Sequence, residues 1–456
     1  MIIKKENKHD SVSLVNHASI LIESSNVKLL TDPWFSGDAF NNGWNLLYEN
    51  HPNEIAQLLD EVTHIFISHE HPDHFSIPFF VKYHNKLCDL NIKIIFQETR
   101  DQRVVKFLKS LKLTVIEAKK NEWIELDTHT HIQIFPVGAI DSTFLMKTAE
   151  SYFINTNDCE LSIFDGKKIL NQIDTPKQKV LLHQFSYAAW RANSAWMKKA
   201  AKYKLRKLLE LNQLLNANLL IPFASFIYFS HEENFNLNRD INKPIIVSNF
   251  LSNNNINHSF LSVYPKKYLV SSLIYDDDFN INVNTEGLGF WKNLYNDLDP
   301  KHFSASNSYA ISEVEIEECL SRIRYSNNIL LMRFIKFISF NLVFGESKIF
   351  IKDLNEVYSL SFDSIKKINE SRKNCLLEIS LDSFILIIKQ VYGLDTLSVN
   401  GRLNEINPNG FRKFIYSMGF LTLNSSDYGI RFRDFFNLSL LQRIISIPIR
   451  LILKND

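Results

Sequence analysis

Between residues 67 and 75 the chain reads Ile67-Ser68-His69-Glu70-His71-Pro72-Asp73-His74-Phe75. Three imidazoles and an aspartate fall within six residues, His69 to His74. Imidazoles two positions apart, at His69 and His71, can point the same way and hold one metal ion. Asp73 and His74, on the turn that follows, can reach a second ion a few ångströms away. The chain carries 14 histidines, so a chance polar loop has to be weighed. Four potential ligands in this order, directly after an apolar run, make chance a poor explanation.

That apolar run is the element that must position them. Val62-Thr63-His64-Ile65-Phe66-Ile67 has the composition of a buried β-strand. A strand that ends abruptly in imidazoles delivers ligands to one point at the rim of a sheet. The spacing His-x-His-x-Asp-His resembles the signature of the metallo-β-lactamase superfamily. The resemblance implies two sheets with helices outside, an αββα sandwich.

The bulk numbers exclude several classes. A chain of 456 residues exceeds one ordinary core and predicts two or three domains. A net charge of +1 gives no broad case for nucleic acid or an anionic surface as partner. Cys88, Cys159, Cys319 and Cys375 form no Cys-x-x-Cys pair, which fits buried thiols of a reducing compartment. The charged start, Met1 to Asp10, lacks the apolar core of a secretion signal. No run approaches 18 apolar residues, so no transmembrane segment is expected and a cytoplasmic protein is.

Strands are expected at Val12–Val15, Ser19–Glu23 and Val27–Thr31, then at 92–96, 113–118, 123–126 and 131–135, with helices over 101–111 and 198–215. The block Asp32-Pro-Trp, Gly37-x-Ala-Phe40, Gly43-Trp-x-Leu-Leu-x-Glu49, then Ile67-Ser-His and Asp73-His-x-Ser76, resembles the catalytic domain of the CMP-N-acetylneuraminate hydroxylase family. The likeness resumes at Gly166–Asp174, with a strand expected over Lys-Lys-Ile-Leu-Asn, and at Pro222–His231.

This resemblance implies a ligand set. His69 and His71 would hold the first metal; Asp73, His74 and His231 would hold the second. Asp174 would bridge both. His17 and Asp32 would stand behind these ligands and orient them. The superfamily's further histidine for the first metal is missing, since residues 132–168 contain none. Asp141 is the nearest substitute, with Asn155 and Asp158 as outside candidates. A site so changed is richer in oxygen donors, which shifts preference from zinc toward iron or manganese, and two iron ions are expected. Trp190 and Trp196 could stack on a small-molecule substrate, and Arg191 could pair with its phosphate or carboxylate.

The family also carries a Rieske iron–sulfur domain with Cys-x-His pairs. This chain starts at the first strand of the sandwich, so a separate electron-donor protein is expected for O2 chemistry. Three functions compete. The first is an iron-dependent hydroxylase acting on a polar, nucleotide-linked or amino-sugar-like substrate. The second is a hydrolase of a phosphodiester, amide or lactone. The third is a binding protein with a degraded site, which the set His69, His71, Asp73, His74, Asp174 and His231 disfavours.

The expected division is a metal-binding catalytic domain over 1–240, cover loops and connection over 241–310, and a smaller α+β domain over 311–456. Asp276-Asp277-Asp278 reads as a solvated turn, and Gly287-Leu-Gly289 lacks the context of a phosphate loop. Beyond 310 a helix over Ser312–Ile338 leads into strands at 340–344, 348–352, 357–362 and 375–381. A helix follows over 382–391, then a return strand over Leu394–Leu403 and a helix after Pro408. That order resembles sterol-carrier-protein-like domains. A cover for the catalytic face or a homodimer contact is the expected role. The apolar tail 438–453 either packs on its own domain or lies on a membrane surface.

Overall fold

The computed structural model describes residues 9–138, 140–174, 176–302, 311–419 and 421. The strands expected above fall within these, whereas the apolar tail 438–453 lies outside the described residues. The chain divides into two compact units. The first takes in the chain up to Ala188, Asn193–Ser230 and Phe235–Pro300. The second takes Ala189–Ala192, His231–Asn234 and the chain from Lys301 on.

The first unit opens with an antiparallel meander, β1 (Ser11–Asn16), β2 (Ser19–Ser24) and β3 (Val27–Thr31). A short strand β4 (Trp44–Leu46) follows, then helix α1 (Pro52–Glu61), started by His51 in a capping box with Glu54. Ile55, Leu58 and Leu59 of α1 are buried, at the three- and four-residue spacing of one helix face. Strand β5 (His64–Ile67) lies parallel to β3 and to β6 (Lys93–Gln97), with α2 (Ile77–Asp89) as the crossover. Helix α3 (Arg103–Ser110) leads to β7 (Thr114–Ala118), the far edge of this seven-stranded sheet.

The second sheet has six strands. β8 (Trp123–Asp127), β9 (Thr130–Val137), β10 (Asp141–Lys147) and β11 (Ser151–Asn157) run antiparallel as successive hairpins. Helix α4 (Ile163–Leu170), β12 (Gln178–Gln184), α5 (Ser194–Leu215) and β13 (Leu219–Phe223) complete it in parallel. β14 (Ile227–Phe229) pairs with β4. Phe66 of the first sheet and Phe144 of the second meet edge to face at 4.9 Å, both fully buried.

Residues 163–173 differ from expectation. Lys167-Lys-Ile-Leu-Asn is the end of helix α4, not a strand, because Ser162 caps the helix in a box with Asp165. The stretch 241–300 is also helical where cover loops were expected: α6 (Pro244–Asn253), then a two-residue strand β15 (Tyr268–Leu269), α7 (Val270–Tyr275) and α8 (Asp277–Asn296). β15 pairs with β1 and so belongs to the first sheet. Asp276 caps α8 by accepting from Phe279 N, and Asp277 and Asp278 lie in its first turn. Gly287 sits inside α8 where a Cβ would overlap the carbonyl of Phe260, so it serves close packing.

In the second unit α9 (Glu313–Ser326) and α10 (Ile329–Ile338) divide the expected long helix at Asn327-Asn328, where Asn328 caps α10. Residues 340–344 are a turn, with positive φ at Phe340, Asn341 and Phe344, in place of the expected strand. A five-stranded sheet follows: β16 (Ser347–Ile351), β17 (Glu356–Leu360), β18 (Ile365–Ile368), β19 (Leu377–Ile379) and β20 (Leu403–Glu405). Helices α11 (Leu381–Lys389), α12 (Gly393–Asn400) and α13 (Gly410–Met418) complete the unit. The expected return strand 394–403 is thus mostly α12, since Leu394 and Leu397 bury one helical face and Gly401 ends it at φ +70°. Among the described residues no helix is long and apolar enough to cross a membrane.

Candidate metal centre

Strand β5 ends at Ile67, and the next seven residues form a tight turn in which His74 N and Phe75 N both donate to His71 O. The turn gathers its ligands into two groups. His69, His71 and Asp158 form one; His17, Asp73 and His74 form the other, and within each the ligand atoms lie within 4.8 Å of one another. In the second group His17 Nε2 and His74 Nε2 each stand 3.3 Å from Asp73 Oδ2. In the first, His69 Nε2 faces His71 Nδ1 at 2.8 Å. Asp158 joins the groups, its Oδ2 being 3.9 Å from His69 Nε2 and 4.0 Å from His74 Nε2.

The hairpin β10–β11 places the carboxylates. Its register pairs Phe144 with Asn155 and Lys147 with Tyr152. Continued outward, it sets Asp141 opposite Asp158, at the end of the hairpin that faces the imidazoles. Asp141 Oδ1 is 3.9 Å from His69 Nε2.

Beneath the ligands lies a buried polar floor. Asp32, held at φ +36°, accepts from Ser68 N at 2.7 Å and Ser68 Oγ at 2.9 Å, and its Oδ2 is 2.9 Å from His74 Nδ1. Ser68 Oγ also lies 2.9 Å from His69 Nδ1, and Ser142 Oγ donates to Ser68 O at 2.6 Å. Phe40 packs edge-on to His71 at 5.7 Å and against Trp44 at 4.5 Å. Three consecutive residues, Phe40, Asn41 and Asn42, hold positive φ to make this wall.

The electrostatics follow from burial and from these pairs. Burial, reinforced by His74, pushes the His69 imidazole well below its ordinary pKa. Burial would also depress His74, but Asp73 and Asp32 hold it well above. Burial would raise Asp73; His74 and His17 instead hold its carboxyl well below the usual range. Asp158 is likewise buried, and His69 and His74 keep it low. Burial and the neighbouring Asp158 push Asp141 up to about 6.

These residues fit a pair of cations. Asp73 Oδ1, Asp158 Oδ1 and His17 Nδ1 are buried without a hydrogen-bond partner, a costly state for polar atoms that a ligand would relieve. Two facing ring nitrogens, His69 Nε2 and His71 Nδ1, need a proton or a cation between them.

Other expected residues are placed elsewhere. Asp174 is in neither group, which corrects its reading as the bridge. Its carboxylate is 60% exposed and accepts from Lys147 Nζ at 2.7 Å and Tyr152 Oη at 2.5 Å. Lys147 closes β10 and Asp141 opens it, so the two ends stand about 20 Å apart. Lys147 and Tyr152 hold the Asp174 pKa down to about 2. His231 belongs to the second unit, where its Nδ1 accepts from Glu233 N at 3.1 Å. Trp190 is also built into the second unit, donating from Nε1 to Leu403 O at 3.2 Å and packing on Phe411 at 4.6 Å. Arg191 donates to Trp190 O at 2.7 Å. Trp196 is 42% exposed under Lys199 Nζ at 4.7 Å. His17, expected behind the ligands, has its Nε2 among them. Asp158 was only an outside candidate; the mirrored distances of Asp141 and Asp158 from the Thr148–Ser151 turn are the signal that finds it.

With this geometry in view, comparison with known proteins locates the fold. Residues 11–133 match the family described as "Beta-lactamase superfamily domain". Cytidine monophosphate-N-acetylneuraminic acid hydroxylase of Danio rerio is 27% identical over 155 residues, 33% of this chain and 26% of the relative. The protein of the same name from Asterias rubens is 30% identical over 153 residues, 32% of this chain and 23% of the relative. The matched stretch is thus about a quarter of the length of these relatives. Among solved structures, CmlA, a diiron beta-hydroxylase from Streptomyces venezuelae, is 13% identical with a TM-score of 0.40, covering 57% of this chain and 54% of that one. Igni18, a metallo hydrolase from Ignicoccus hospitalis, is 12% identical with a TM-score of 0.41, covering 57% and 97%. The matched residues 11–133 lie in the first unit, whose two sheets carry helices, and the second is an additional unit of helices and sheet.

Proposed function

We propose, for a chain whose residues 11–133 match a beta-lactamase superfamily domain, that the first unit is a dinuclear metal enzyme and that its reaction is hydroxylation of a polar small molecule. The observation that carries this reading is Asp158 Oδ2, about equidistant from His69 Nε2 and His74 Nε2 and so able to serve both groups. His69, His71 and Asp158 would hold one ion, and His17, Asp73 and His74 the other. Iron ions held there would supply redox chemistry with O2. Two carboxylates, Asp73 and Asp158, stand in the ligand sets and favour iron over zinc because anionic oxygen donors stabilise the higher oxidation state. The named relatives are hydroxylases, which points to a nucleotide-linked or amino-sugar-like substrate.

The chain's own residues do the positioning. Asp32 and Ser68 fix the ring orientations of His74 and His69 from below. Phe40 and Trp44 wall the His71 side and exclude water from it. Asp141, with its pKa near 6, can hold a proton on its carboxyl beside His69 and release it near neutrality. Inserting one atom of O2 into a C–H bond and returning the other as water takes two electrons and two protons. In this reading a separate electron-donor protein supplies the electrons, and the protons come from solvent.

The test is elemental analysis of protein purified from iron-supplemented and zinc-supplemented cultures, with Asp158→Ala and Asp174→Ala alongside. Two irons per chain, lost in Asp158→Ala and kept in Asp174→Ala, support the proposal. Two zincs under both supplements would move the assignment to hydrolysis of a phosphodiester, amide or lactone. Metal loss in Asp174→Ala alone would refute the ligand set.

A further inference from the structure

The first part of helix α5 concentrates positive charge in a chain that is otherwise balanced. Between Ser194 and Leu209 there are six cations and no acid, against a net charge of +1 for the whole chain. The helix buries Met197, Ala201, Leu208 and Leu215 on one face. At about 100° per residue, Lys198, Lys199, Lys202 and Arg206 fall within an arc of about 100° on the opposite face. Trp196 and Tyr203 line one flank of that arc. Lys199 Nζ lies 4.7 Å over the Trp196 ring, and the Arg206 guanidinium 5.6 Å over the Tyr203 ring.

Little within the chain neutralises this face. Lys198, Lys199 and Lys202 are exposed and form no ion pair among the described residues. Asp240 acts on Lys198, but its carboxylate is taken by Arg239 Nε at 3.1 Å and Ser194 Oγ at 3.0 Å. Glu210, one turn on, serves Lys207 at 3.0 Å and Arg206 at 3.5 Å. The aromatic flank is tied to the metal centre. Tyr203 Oη donates to Glu160 Oε2 at 2.9 Å, and the buried Lys204 donates to Glu160 Oε1 at 2.8 Å. Glu160 stands two residues beyond Asp158, whose Oδ2 faces both His69 and His74. A partner seated on α5 thus rests on the helix that anchors the Asp158 segment.

Charge and size select the occupant. The hydroxylation proposed above draws electrons from a separate protein, and such a donor has to dock, deliver and leave. Electron-transfer complexes are small, below roughly 1,200 Å² in total, and complementary charge speeds their formation. One helix face with four cations and two aromatics fits a compact acidic patch. A nucleic acid is less well matched, because Lys198 to Arg206 spans about 12 Å along the helix, short of the roughly four or more nucleotides that a strand-binding groove follows. A membrane is less well matched too, since Trp196 is the one exposed large apolar side chain on α5.

We propose that the face of α5 carrying Lys198, Lys199, Lys202 and Arg206 is the docking surface for an acidic electron-carrier protein. The carrier's purpose rests on the hydroxylase reading; its place rests on α5 alone.

Titration calorimetry of the full chain with two acidic carriers, a plant-type ferredoxin and a flavodoxin, tests this at about 0.1 M salt, where charges more than about 10 Å apart are screened. At least one carrier should bind, and more salt should weaken the complex. Lys198→Glu with Lys199→Glu and Lys202→Glu should weaken it about a hundredfold, and Trp196→Ala about tenfold. The same charge change on the second unit, Lys366→Glu with Lys367→Glu and Lys373→Glu, should leave it within about twofold. Circular dichroism should show every variant folded, since these side chains are exposed. A wild-type chain that binds neither carrier overturns the proposal, and so does binding that the α5 reversal leaves unmoved. Capture of the wild type alone by phosphatidylserine vesicles or by single-stranded oligothymidylate, with no carrier bound, would overturn it and give the face to that partner. A chain that holds only zinc yet binds a carrier through α5 would keep the docking surface and refute the hydroxylase reading, so the two fail separately.

Discussion

Replacing Asp32 with Asn should cost the second metal group far more than it costs the fold. Asp32 is fully buried and accepts from Ser68 N, Ser68 Oγ and His74 Nδ1. With the carboxylate present, His74 donates its Nδ1–H downward and a cation can take the Nε2 lone pair that faces Asp73. An amide keeps the shape and can still accept from Ser68 N. Turned toward His74, however, its NH2 group makes Nδ1 an acceptor and leaves the proton on Nε2. Stability should fall by about 1–3 kcal/mol, the cost of one poorly satisfied buried group. Metal affinity should fall about 10–100-fold, the usual effect of losing a partner that orients a ligand. Asp32→Ala, which strips His74 of its buried counter-charge, should cost about 3–5 kcal/mol. Urea denaturation gives the stabilities, chelator competition the affinities, and nitrogen NMR of the imidazole the tautomer. An Asp32→Asn protein with unchanged affinity, or with His74 still protonated at Nδ1 in the metal-bound state, would refute the reasoning.

Other outcomes follow from single sites. Gly287→Ala should destabilise by about 1–3 kcal/mol or more, because its Cβ meets rigid backbone at Phe260, whereas Gly289→Ala on the same helix meets nothing and should stabilise by about 0.5–1 kcal/mol; thermal melts of the pair decide it. Arg402→Ala should cost about 3–5 kcal/mol in urea denaturation, since the buried guanidinium pairs with Glu233 and Asp382 at 2.7 Å each. Burial, with Lys93 nearby, lowers the His64 pKa to about 4, so the unfolded chain binds more protons between pH 6.5 and 4 and stability falls as pH drops through that window. His64→Gln should remove about 3 kcal/mol of that fall, measured as the difference between the two stability–pH curves.

The sandwich was legible because its central strands are short apolar runs and its motif follows one of them without a gap. The candidate ligands of the turn 69–74 could be read from the sequence because they are local to one another. The carboxylate proposed to serve both groups was not local in that sense. Asp158 comes to the site through the register of the β10–β11 hairpin, which pairs Phe144 with Asn155, and register is set by packing rather than by any one residue. Asp174 looked suitable because Lys-Lys-Ile-Leu-Asn can pass for a strand until Ser162 is seen to cap it as a helix. Helix α8 was hidden for another reason. Asn280, Val283, Gly287, Trp291 and Tyr295 are its buried positions, and two of the five are not apolar. Asn284 accepts from Phe260 N at 2.7 Å, and Asn280 bonds to the side chains of Ser259 and Asn257, so polar contacts stand where a hydrophobic period would have shown.

The make-up of the second unit bears on how it can be made. Its contacts reach back to Trp190, whose indole donates to Leu403 O across 213 residues of chain, and to Glu233, which holds Lys352 and Arg402. Synthesis from the N-terminus delivers these early segments long before the sheet that receives them. Closing so long a loop carries an entropic cost that local hairpins escape, and it raises the contact order of this unit. The five-stranded sheet should therefore gain its full protection from hydrogen exchange late, after residues 189–192 and 231–234 have docked. A fragment spanning 301–421 would lack those two segments and leave Arg402 without Glu233. Whoever divides this gene at residue 300 should expect a poorly folded piece.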